Sequence, residues 1–434
     1  MNRHSRARAP QHRCGRTTRC LPMVLLLSCA GSPAPSATPG MEARSTLVRV
    51  ATPSVPPADT LQLASDNRAF ALDLHHALGR ATPGNLVFSP ISISIALAML
   101  YGGAAGGTAT EIASTLHFEL SPERLHPAFD ALDLALITQP TGGTGTFRLT
   151  LANATWGQTG YAFLPTYLDL LAANYGAGIR LVDFAGAAEI ARATINGWVS
   201  DNTEHKVTML LPQGSIDPGT RLVLTNAVDF LGDWLTPFES HSSPGIFHAP
   251  GGDVTVDKMM SGPKNLDNWS GDGWRAAALP YVGGTVSMVL VVPDAGTFAA
   301  FEAALDADRL GAVLAARSTA VPGAVNMPAF SFKTDSGLKP ALMALGMNQA
   351  FDASVADLSA INGRRDLFVS DVLHQATIAV DEMGTEASAA TAVVIRTQSA
   401  VLNPLTVDRP FLFFIRHEAT GAILFQGRVL DPTQ

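Results

Sequence analysis

The body of this 434-residue chain contains no cysteine, because Cys14, Cys20 and Cys29 all lie within the first 29 residues. That position excludes a disulfide framework, a thiolate metal site and a cysteine nucleophile from the rest of the chain. Aromatic residues make up only 7% and charged residues 15%, against 47% hydrophobic residues. This composition is typical of a globular protein that packing alone must stabilise.

Basic residues are also scarce in the body. Lysine and arginine number 29 against 37 aspartates and glutamates, and six of the arginines lie in the first 29 residues, which hold no acid. No basic run follows Arg19. Because nucleic acid and heparin are recognised by basic patches, the charge pattern predicts no nucleic-acid partner and no heparin site.

Motifs of enzymes and metal sites are missing. There is no Gly-x-Ser-x-Gly elbow, no His-Glu-x-x-His helix, and no Lys-Ser or Lys-Thr after the glycine-rich segment 102–107. His75, His76, His241 and His248 lack an acid at ligand spacing, which indicates surface histidines. We therefore expect no enzymatic activity, no catalytic residue, no metal and no cofactor.

Residues 1–29 have the pattern of an export signal. Arginines precede an apolar run at 23–27 that is too short to cross a bilayer, and Leu-Leu-Ser-Cys at its end resembles a bacterial lipoprotein box. Lipidation of Cys29 predicts an outer-membrane lipoprotein; plain secretion and a mis-assigned start codon are the alternatives. Residues 30–60 are rich in Pro, Ser and Ala, which predicts an extended tether.

From residue 61 to 434, helical and strand patterns alternate without a repeat, which predicts one α+β domain. Ser89 and Pro90 precede an apolar run and predict a capped, buried helix. Gly176 follows a helical repeat of apolar residues and is expected to end that helix. Apolar runs at 411–415 and 423–425 predict a hairpin.

Two predicted strands each place one polar residue on an apolar face. Asn226 shares a face with Leu224 and Val228, and His374 shares one with Val372 and Ala376. A buried polar side chain without a partner costs about 1 to 3 kcal/mol. The pattern favours core groups that bond to each other or to nearby hydroxyls over a catalytic His374.

The segment 382–395 reads EMGTEASAATAVVI. As a strand it would place Thr385, Ala387, Ala389 and Thr391 on one face, all of them small or β-branched and none charged. Such a strand could fit between two existing strands, although the segment is too small and polar to hold a core. We interpret it as an exposed loop that can become a central strand, which is a stored conformational change.

This loop resembles the hinge and reactive centre of the serpins, a family of protease inhibitors. The resemblance extends over the body of the chain through five collinear blocks, at 85–118, 151–177, 195–238, 369–395 and 408–434. It implies the serpin fold, with mixed helices, three β-sheets and a reactive-centre loop at about 382–404. Together with the lipoprotein-like signal at residues 1–29, it predicts a bacterial exported member of the family.

The resemblance assigns roles to residues of this chain. It places a cluster of polar side chains beneath the main sheet, called the shutter, at Ser89, Ser92, Asn226 and His374. It places Trp234 at the top of that sheet, in the region called the breach, where the loop would begin to insert. It assigns an inhibitory-type hinge to Glu382, Gly384, Thr385, Glu386, Ala387, Ser388, Ala389, Ala390 and Thr391.

The implied activity is suicide inhibition of a serine protease of trypsin, elastase or subtilisin type, with cysteine proteases as a further class. The protease would attack the loop and be carried away as the cleaved loop inserts into the sheet. The family spacing places the reactive bond at Gln398-Ser399, and Arg396-Thr397 is the trypsin-type alternative.

The sequence disfavours two other functions. A non-inhibitory serpin acting as a binding protein or chaperone is disfavoured by the small hinge residues, and a hydrolase is disfavoured by the missing motifs. We expect a monomer that contacts membranes only through a lipid anchor on Cys29.

Overall fold

Two β-sheets and a shell of helices are described for residues 41–137, 145–239, 242–385 and 404–434 in a computed structural model of the protein. Within those residues the helices are α1 Pro57–Ala81, α2 Pro90–Tyr101, α3 Gly106–Thr115, α4 Pro122–Ile137, α5 Pro165–Tyr175, α6 Phe184–Asn202, α7 Phe298–Ala303, α8 Ala307–Ala315, α9 Lys339–Ala344 and α10 Ser359–Asn362. Short 3-10 turns occur at Ala316–Thr319 and Gln349–Phe351.

The strands are β1 Glu42–Ala43, β2 Leu86–Phe88, β3 Phe147–Gln158, β4 Ile179–Val182, β5 Leu222–Asp233, β6 Ser243–Ala249, β7 Gly252–Gly271, β8 Trp274–Pro280, β9 Val286–Pro293, β10 Val321–Pro328, β11 Phe330–Gly337, β12 Val369–Val380, β13 Gly384–Thr385, β14 Leu405–Thr406, β15 Phe411–His417 and β16 Ile423–Val429. The seven-stranded sheet has the order β1-β4-β3-β5-β13-β12-β11, and we call it the main sheet. The predicted α+β class is therefore confirmed.

The remaining nine strands form one continuous sheet in the order β14-β10-β7-β8-β9-β15-β16-β2, with β6 paired to β7. Strand β7 spans 20 residues, and its first part pairs with β6 while its last part pairs with β8. Strand β7 therefore joins β6 and β8 into the same sheet.

The largest hydrophobic core lies between the two sheets. It includes Phe230 on β5, Ile378 on β12 and Phe413 on β15, all almost inaccessible to solvent. On the opposite face of the main sheet, helix α6 packs through Ile195 and Val199. Alternate residues of β5 are therefore buried on both faces of the sheet, whereas on β11 the outward side chains of Ser331 and Lys333 are exposed.

The predicted start of helix α2, the predicted end of helix α5 and the hairpin of β15 and β16 are confirmed, although both hairpin strands extend beyond their predicted ends. Helix α2 begins at Pro90, and the Ser89 hydroxyl caps it by accepting a hydrogen bond from the Ser92 N–H. Helix α5 ends at Gly176, whose φ of 61° is the left-handed conformation that glycine adopts at low cost. Strands β15 and β16 pair antiparallel, as the hairpin prediction requires.

The prediction of a tether over 30–60 is wrong for residues 41–60, because these residues belong to the folded domain. Strand β1 pairs with β4 at the edge of the main sheet, and helix α1 begins at Pro57. Arg49 contacts the Asp130 carboxylate at 2.6 Å and the Asp133 carboxylate at 2.7 Å. The amino-acid composition could not predict that this segment is folded, because it is held by edge pairing and ion pairs with distant residues.

Candidate functional site

The segment predicted as the hinge enters the main sheet. Strands β5 and β12 pair in parallel from Leu222 to Val228 and from Val369 to Ala376. Beyond that point they separate, and β13 lies between them, antiparallel to both. Thr385 faces Gly232 on one side and Val380 on the other. The first two residues of an additional central strand are therefore already in place.

A tight turn at 381–383 brings the chain back into the sheet. The Asp381 carboxylate accepts hydrogen bonds from the Met383 N–H at 2.8 Å and the Gly384 N–H at 3.1 Å. Trp234 fixes the turn from the side, since its indole N–H donates to the Asp381 carbonyl at 3.0 Å. Its backbone N–H donates to the Met383 carbonyl at 2.8 Å. Trp234 thus lies beside the turn that leads into the predicted hinge.

Gly384 is required by the close approach of β5. A Cβ at this position would lie 2.2 Å from the carbonyl oxygen of Gly232, a distance that only a displaced backbone could relieve. Glycine therefore permits the first residue of β13 to enter the gap.

Thr385 points into the interior of the protein, as the alternation of the predicted strand requires. Its side chain is 1% exposed, and its hydroxyl lies 2.7 Å from the hydroxyl of Tyr281. The Tyr281 ring stacks on Trp234 with centroids 4.5 Å apart. Burial raises the pKa of Tyr281 far above its ordinary range, so this hydroxyl keeps its proton.

Glu382 anchors the start of the loop to the second sheet. Its carboxylate accepts a hydrogen bond from the Ser242 hydroxyl and lies 3.3 Å from the Lys258 ammonium. Burial works to raise the pKa of Glu382, but the hydrogen bond from Ser242 and the charge of Lys258 outweigh it and hold that pKa below its ordinary value. Glu382 is therefore ionised at neutral pH.

The predicted shutter residues meet beneath the main sheet. The Nδ1–H of His374 donates to the Asn226 side-chain oxygen at 2.5 Å, and its Nε2 accepts from the Ser89 N–H at 3.1 Å. The Asn226 amide donates to the Ser92 hydroxyl at 2.5 Å and to Asn153 at 2.5 Å. The polar groups on the two strands are thus satisfied by each other and by helix α2.

This environment excludes His374 as a general base. Burial lowers its pKa to about 3, and both ring nitrogens are engaged in hydrogen bonds to Asn226 and Ser89. The imidazole is neutral at pH 7 and out of reach of solvent. Its contribution is to the structure of the sheet.

Several residues of the site were missed in the sequence. Asn153 could have been found by the pattern that revealed Asn226, which is one polar residue on an apolar strand face. It shares a face of β3 with Phe147, Leu149 and Leu151. Tyr281 carries no local signal, because its contact with Thr385 spans 104 positions.

The assignment of His75 to the surface is wrong. It is 1% exposed, and its Nε2–H donates to Glu302 at 2.8 Å. Its partner, Glu302, lies on α7, 227 positions away, so ligand spacing could not reveal it.

Other predicted residues lie outside the described part of the chain: Cys29, Glu386, Ala387, Ser388, Ala389, Ala390, Thr391, Arg396, Thr397, Gln398 and Ser399. Over the described residues, no group of three or more His, Cys, Asp or Glu side chains could hold a metal ion. None of the described helices combines the length and apolar character needed to cross a bilayer.

Comparison with known proteins agrees with this arrangement. Residues 65–432 match the family model described as "Serpin (serine protease inhibitor)". The chain is 37% identical over 384 residues to the leukocyte elastase inhibitor of Homo sapiens, and 38% identical over 384 residues to leukocyte elastase inhibitor A of Mus musculus. Each alignment covers 86% of this chain and 100% of the relative. The crystal structure of uncleaved ovalbumin is similar with a TM-score of 0.76 and 28% identity, over 86% of this chain and 100% of that chain.

Proposed function

The chain belongs to the serpin family, and we propose that it uses an inhibitory-type hinge to trap elastase-like serine proteases. It is a serine endopeptidase inhibitor and not an enzyme. It acts as a suicide substrate whose cleaved loop inserts into the main sheet. The relatives at 37% and 38% identity, which match over their whole length, are named as elastase inhibitors, and this supports inhibition over the carrier or chaperone alternative.

The observation that carries the proposed hinge is the position of β13. Gly384 and Thr385 already lie between β5 and β12, and Thr385 is buried there. A cleaved loop can therefore extend this strand residue by residue. We assign the hinge to Glu382, Gly384 and Thr385, continuing through residues 386–391.

Insertion has to separate two paired strands. Seven residue pairs join β5 to β12 below the hinge, and the Asn226–His374 hydrogen bond crosses the same boundary. Each new residue of the inserted strand forms ladder bonds on both sides, which replaces the bonds that are lost. At ~3.3 Å per residue, about 14 residues of strand move an attached protease by roughly 45 Å.

The driving force is the difference between the native sheet and the completed one. The native state must therefore persist because its barrier to insertion is high. Cleavage frees one end of the loop and opens the route to the more stable sheet. A protease held as an acyl-enzyme at that end is distorted before it can deacylate.

The names of the relatives support elastase-like proteases as targets. Val393, Val394 and Ile395 would offer small apolar side chains to such an enzyme. We place the reactive bond at Gln398-Ser399 and retain Arg396-Thr397 for a trypsin-like enzyme. Subtilisin-like and cysteine proteases are further candidate targets.

A panel of proteases tests these targets. Elastase, trypsin, subtilisin and papain are each incubated with the protein, and a complex that survives boiling in detergent is sought on a gel. Proteases with a blocked nucleophile serve as controls and should give no complex. Sequencing the released C-terminal peptide identifies the bond; a peptide that begins at Ser399 supports the assignment, and one that begins at Thr397 replaces it.

We further propose that this is an exported bacterial member of the family that acts as a monomer. Residues 1–29 would direct export, and lipidation of Cys29 would anchor the protein to the outer membrane. Plain secretion is the alternative. Because residues 41–60 are folded, the tether ahead of the single serpin domain would be limited to about residues 30–40.

A further inference from the structure

We propose that Tyr281 is a positioning residue for inhibition, whose hydroxyl holds Thr385 in the main sheet so that insertion starts from a strand already begun. The proposal rests on the hinge described above and adds a residue from a different part of the fold. Tyr281 follows strand β8 directly, and its backbone forms an isolated bridge with Trp234, the residue that follows β5.

The position of the Tyr281 ring is fixed on several sides. It stacks on Trp234 with centroids 4.5 Å apart and an interplanar angle of 18°, and meets the edge of Phe230 at 5.0 Å. A Cβ at Gly232 would lie 2.8 Å from the ring, so glycine at that position leaves room for it. The ring is fully buried, and its hydroxyl has little freedom to find another partner.

Thr385 supplies that partner. Within the described residues, the Thr385 hydroxyl is the one hydrogen-bond partner of the Tyr281 hydroxyl, at 2.7 Å. If the hinge left the sheet, a protonated phenol would remain in a buried site without a partner. A buried polar group left in that state is strongly unfavourable, whereas the made bond adds only modestly to stability. The contact therefore acts mainly against withdrawal of the hinge.

The consequence is kinetic. After the loop is cleaved, insertion competes with deacylation of the acyl-enzyme. With Thr385 held between Gly232 and Val380, insertion extends an existing strand. With the hinge withdrawn, Gly384 and Thr385 must first re-enter the gap before the ladder can grow. The fraction of molecules whose Gly384 and Thr385 lie in the sheet thus sets the stoichiometry of inhibition, which is the number of inhibitor molecules cleaved for each protease trapped.

Tyr281→Phe removes the hydroxyl and keeps the ring. We expect the number of inhibitor molecules consumed per protease inactivated to rise about 3- to 10-fold, the range that corresponds to one buried hydrogen bond. Thr385→Val should give the same rise, and Thr385→Ser should restore the parent value. The double variant Tyr281→Phe, Thr385→Val should be no worse than either single variant, because both remove the same bond.

A second measurement needs no protease. In the uncleaved protein, the peptide that spans the hinge should exchange its amide hydrogens faster in Tyr281→Phe and Thr385→Val than in the parent. Tyr167→Phe is the matched control, because it removes a buried hydroxyl that donates to the Met99 carbonyl at 3.0 Å, away from the hinge. Tyr167→Phe should leave both hinge exchange and stoichiometry unchanged.

Parent-like hinge exchange and stoichiometry in Tyr281→Phe would overturn the proposal. So would an equal effect of Tyr167→Phe, or additive effects in the double variant. If Tyr281→Phe does not fold, the comparison of Thr385→Val with Thr385→Ser decides alone. If the parent formed no stable complex with any protease of the panel, the proposed inhibitory function would be wrong. The hydrogen-exchange measurement would still test the Tyr281 contact, because it needs no protease.

Discussion

Asn226 and His374 lie directly opposite each other on two parallel strands, and the 2.5 Å hydrogen bond between their side chains joins the strands that loop insertion must separate. Each residue is also tied to helix α2, Asn226 through the Ser92 hydroxyl and His374 through the Ser89 N–H. The two strands are therefore fastened to each other and to the helix beneath them. This pair is expected to contribute to the barrier that keeps the native sheet from opening.

His374→Ala should lower that barrier. It leaves the Asn226 oxygen and the Ser89 N–H without their partner in a buried site, at a cost of about 1 to 3 kcal/mol. The variant should polymerise or insert its loop spontaneously on mild heating faster than the parent, as measured by native gels. His248→Ala, which alters an exposed histidine paired with Asp253, is the control and should behave like the parent. Equal heating behaviour of His374→Ala and the parent would contradict a role in the barrier.

The same histidine predicts a pH dependence of stability. Burial lowers the pKa of His374 from 6.5 to about 3, so between these values the unfolded chain binds a proton that the folded protein excludes. Its contribution to stability is complete above about pH 6.5 and is lost as the pH falls toward about 3, at up to about 1.4 kcal/mol per pH unit. Urea midpoints at several pH values should fall less steeply in His374→Ala than in the parent. If the urea midpoints of His374→Ala and the parent fell equally steeply with decreasing pH, His374 would take up its proton in the folded state.

Local patterns were enough to predict much of the fold. Ser89 before Pro90 predicts the start of α2, because a capping hydroxyl and a preset φ act within one turn of helix. The period of two along β5 and β12 places Asn226 and His374 on the inner face, and the cost of burying them unpaired predicts that they meet partners.

The features that were missed depend on contacts between distant segments. The position of Thr385 in the sheet needs Tyr281 and the turn at Asp381, and Tyr281 is 104 positions away. The burial of His75 depends on Glu302 from another helix. The segment around Arg49 has the composition of a tether, but the acids of α4, a backbone hydrogen bond from Val50 to Ala173 and the pairing of β1 with β4 hold it in place. Composition and periodicity carry no information on such pairings.

Arg49 provides a test of that segment. Asp130 is 1% exposed, and Arg49→Met would leave its carboxylate without the guanidinium that contacts it at 2.6 Å. We expect the free energy of unfolding to fall by about 1 to 3 kcal/mol, measured as a lower urea midpoint. Arg44→Met, at a more exposed arginine of the same segment, should have a smaller effect. Equal effects would show that the Asp130 contact adds nothing specific.

Cys29→Ser tests the proposed anchor. If Cys29 carries a lipid, its replacement should move the protein from the membrane fraction to the soluble fraction, because the acyl chains that hold it are gone. Fractionation of expressing cells followed by immunoblotting measures this shift, and Cys20→Ser is the control that should stay with the membrane. If the parent and Cys29→Ser fractionate alike, secretion without an anchor replaces the proposal.

Insertion of the cleaved loop beside Thr385 can be tested by charge substitutions at two neighbouring positions. Thr385→Arg would force a guanidinium into a site that is 1% exposed. Because an unpaired buried charge costs several kcal/mol, the substitution should slow insertion of the loop strongly. Glu386→Arg alters the next residue, which alternation places on the opposite face of the inserted strand. The proposed scissile bond, Gln398-Ser399, is more than ten residues along the sequence from both positions, so cleavage should survive in both variants.

The deciding measurement is the yield of detergent-stable complex against cleaved inhibitor, determined on one gel for the parent and both variants with the same protease. We expect Thr385→Arg to be cleaved and to release active protease, and Glu386→Arg to form the complex at a yield near that of the parent. Equal yields of complex from all three proteins would contradict loop insertion as the mechanism of this protein.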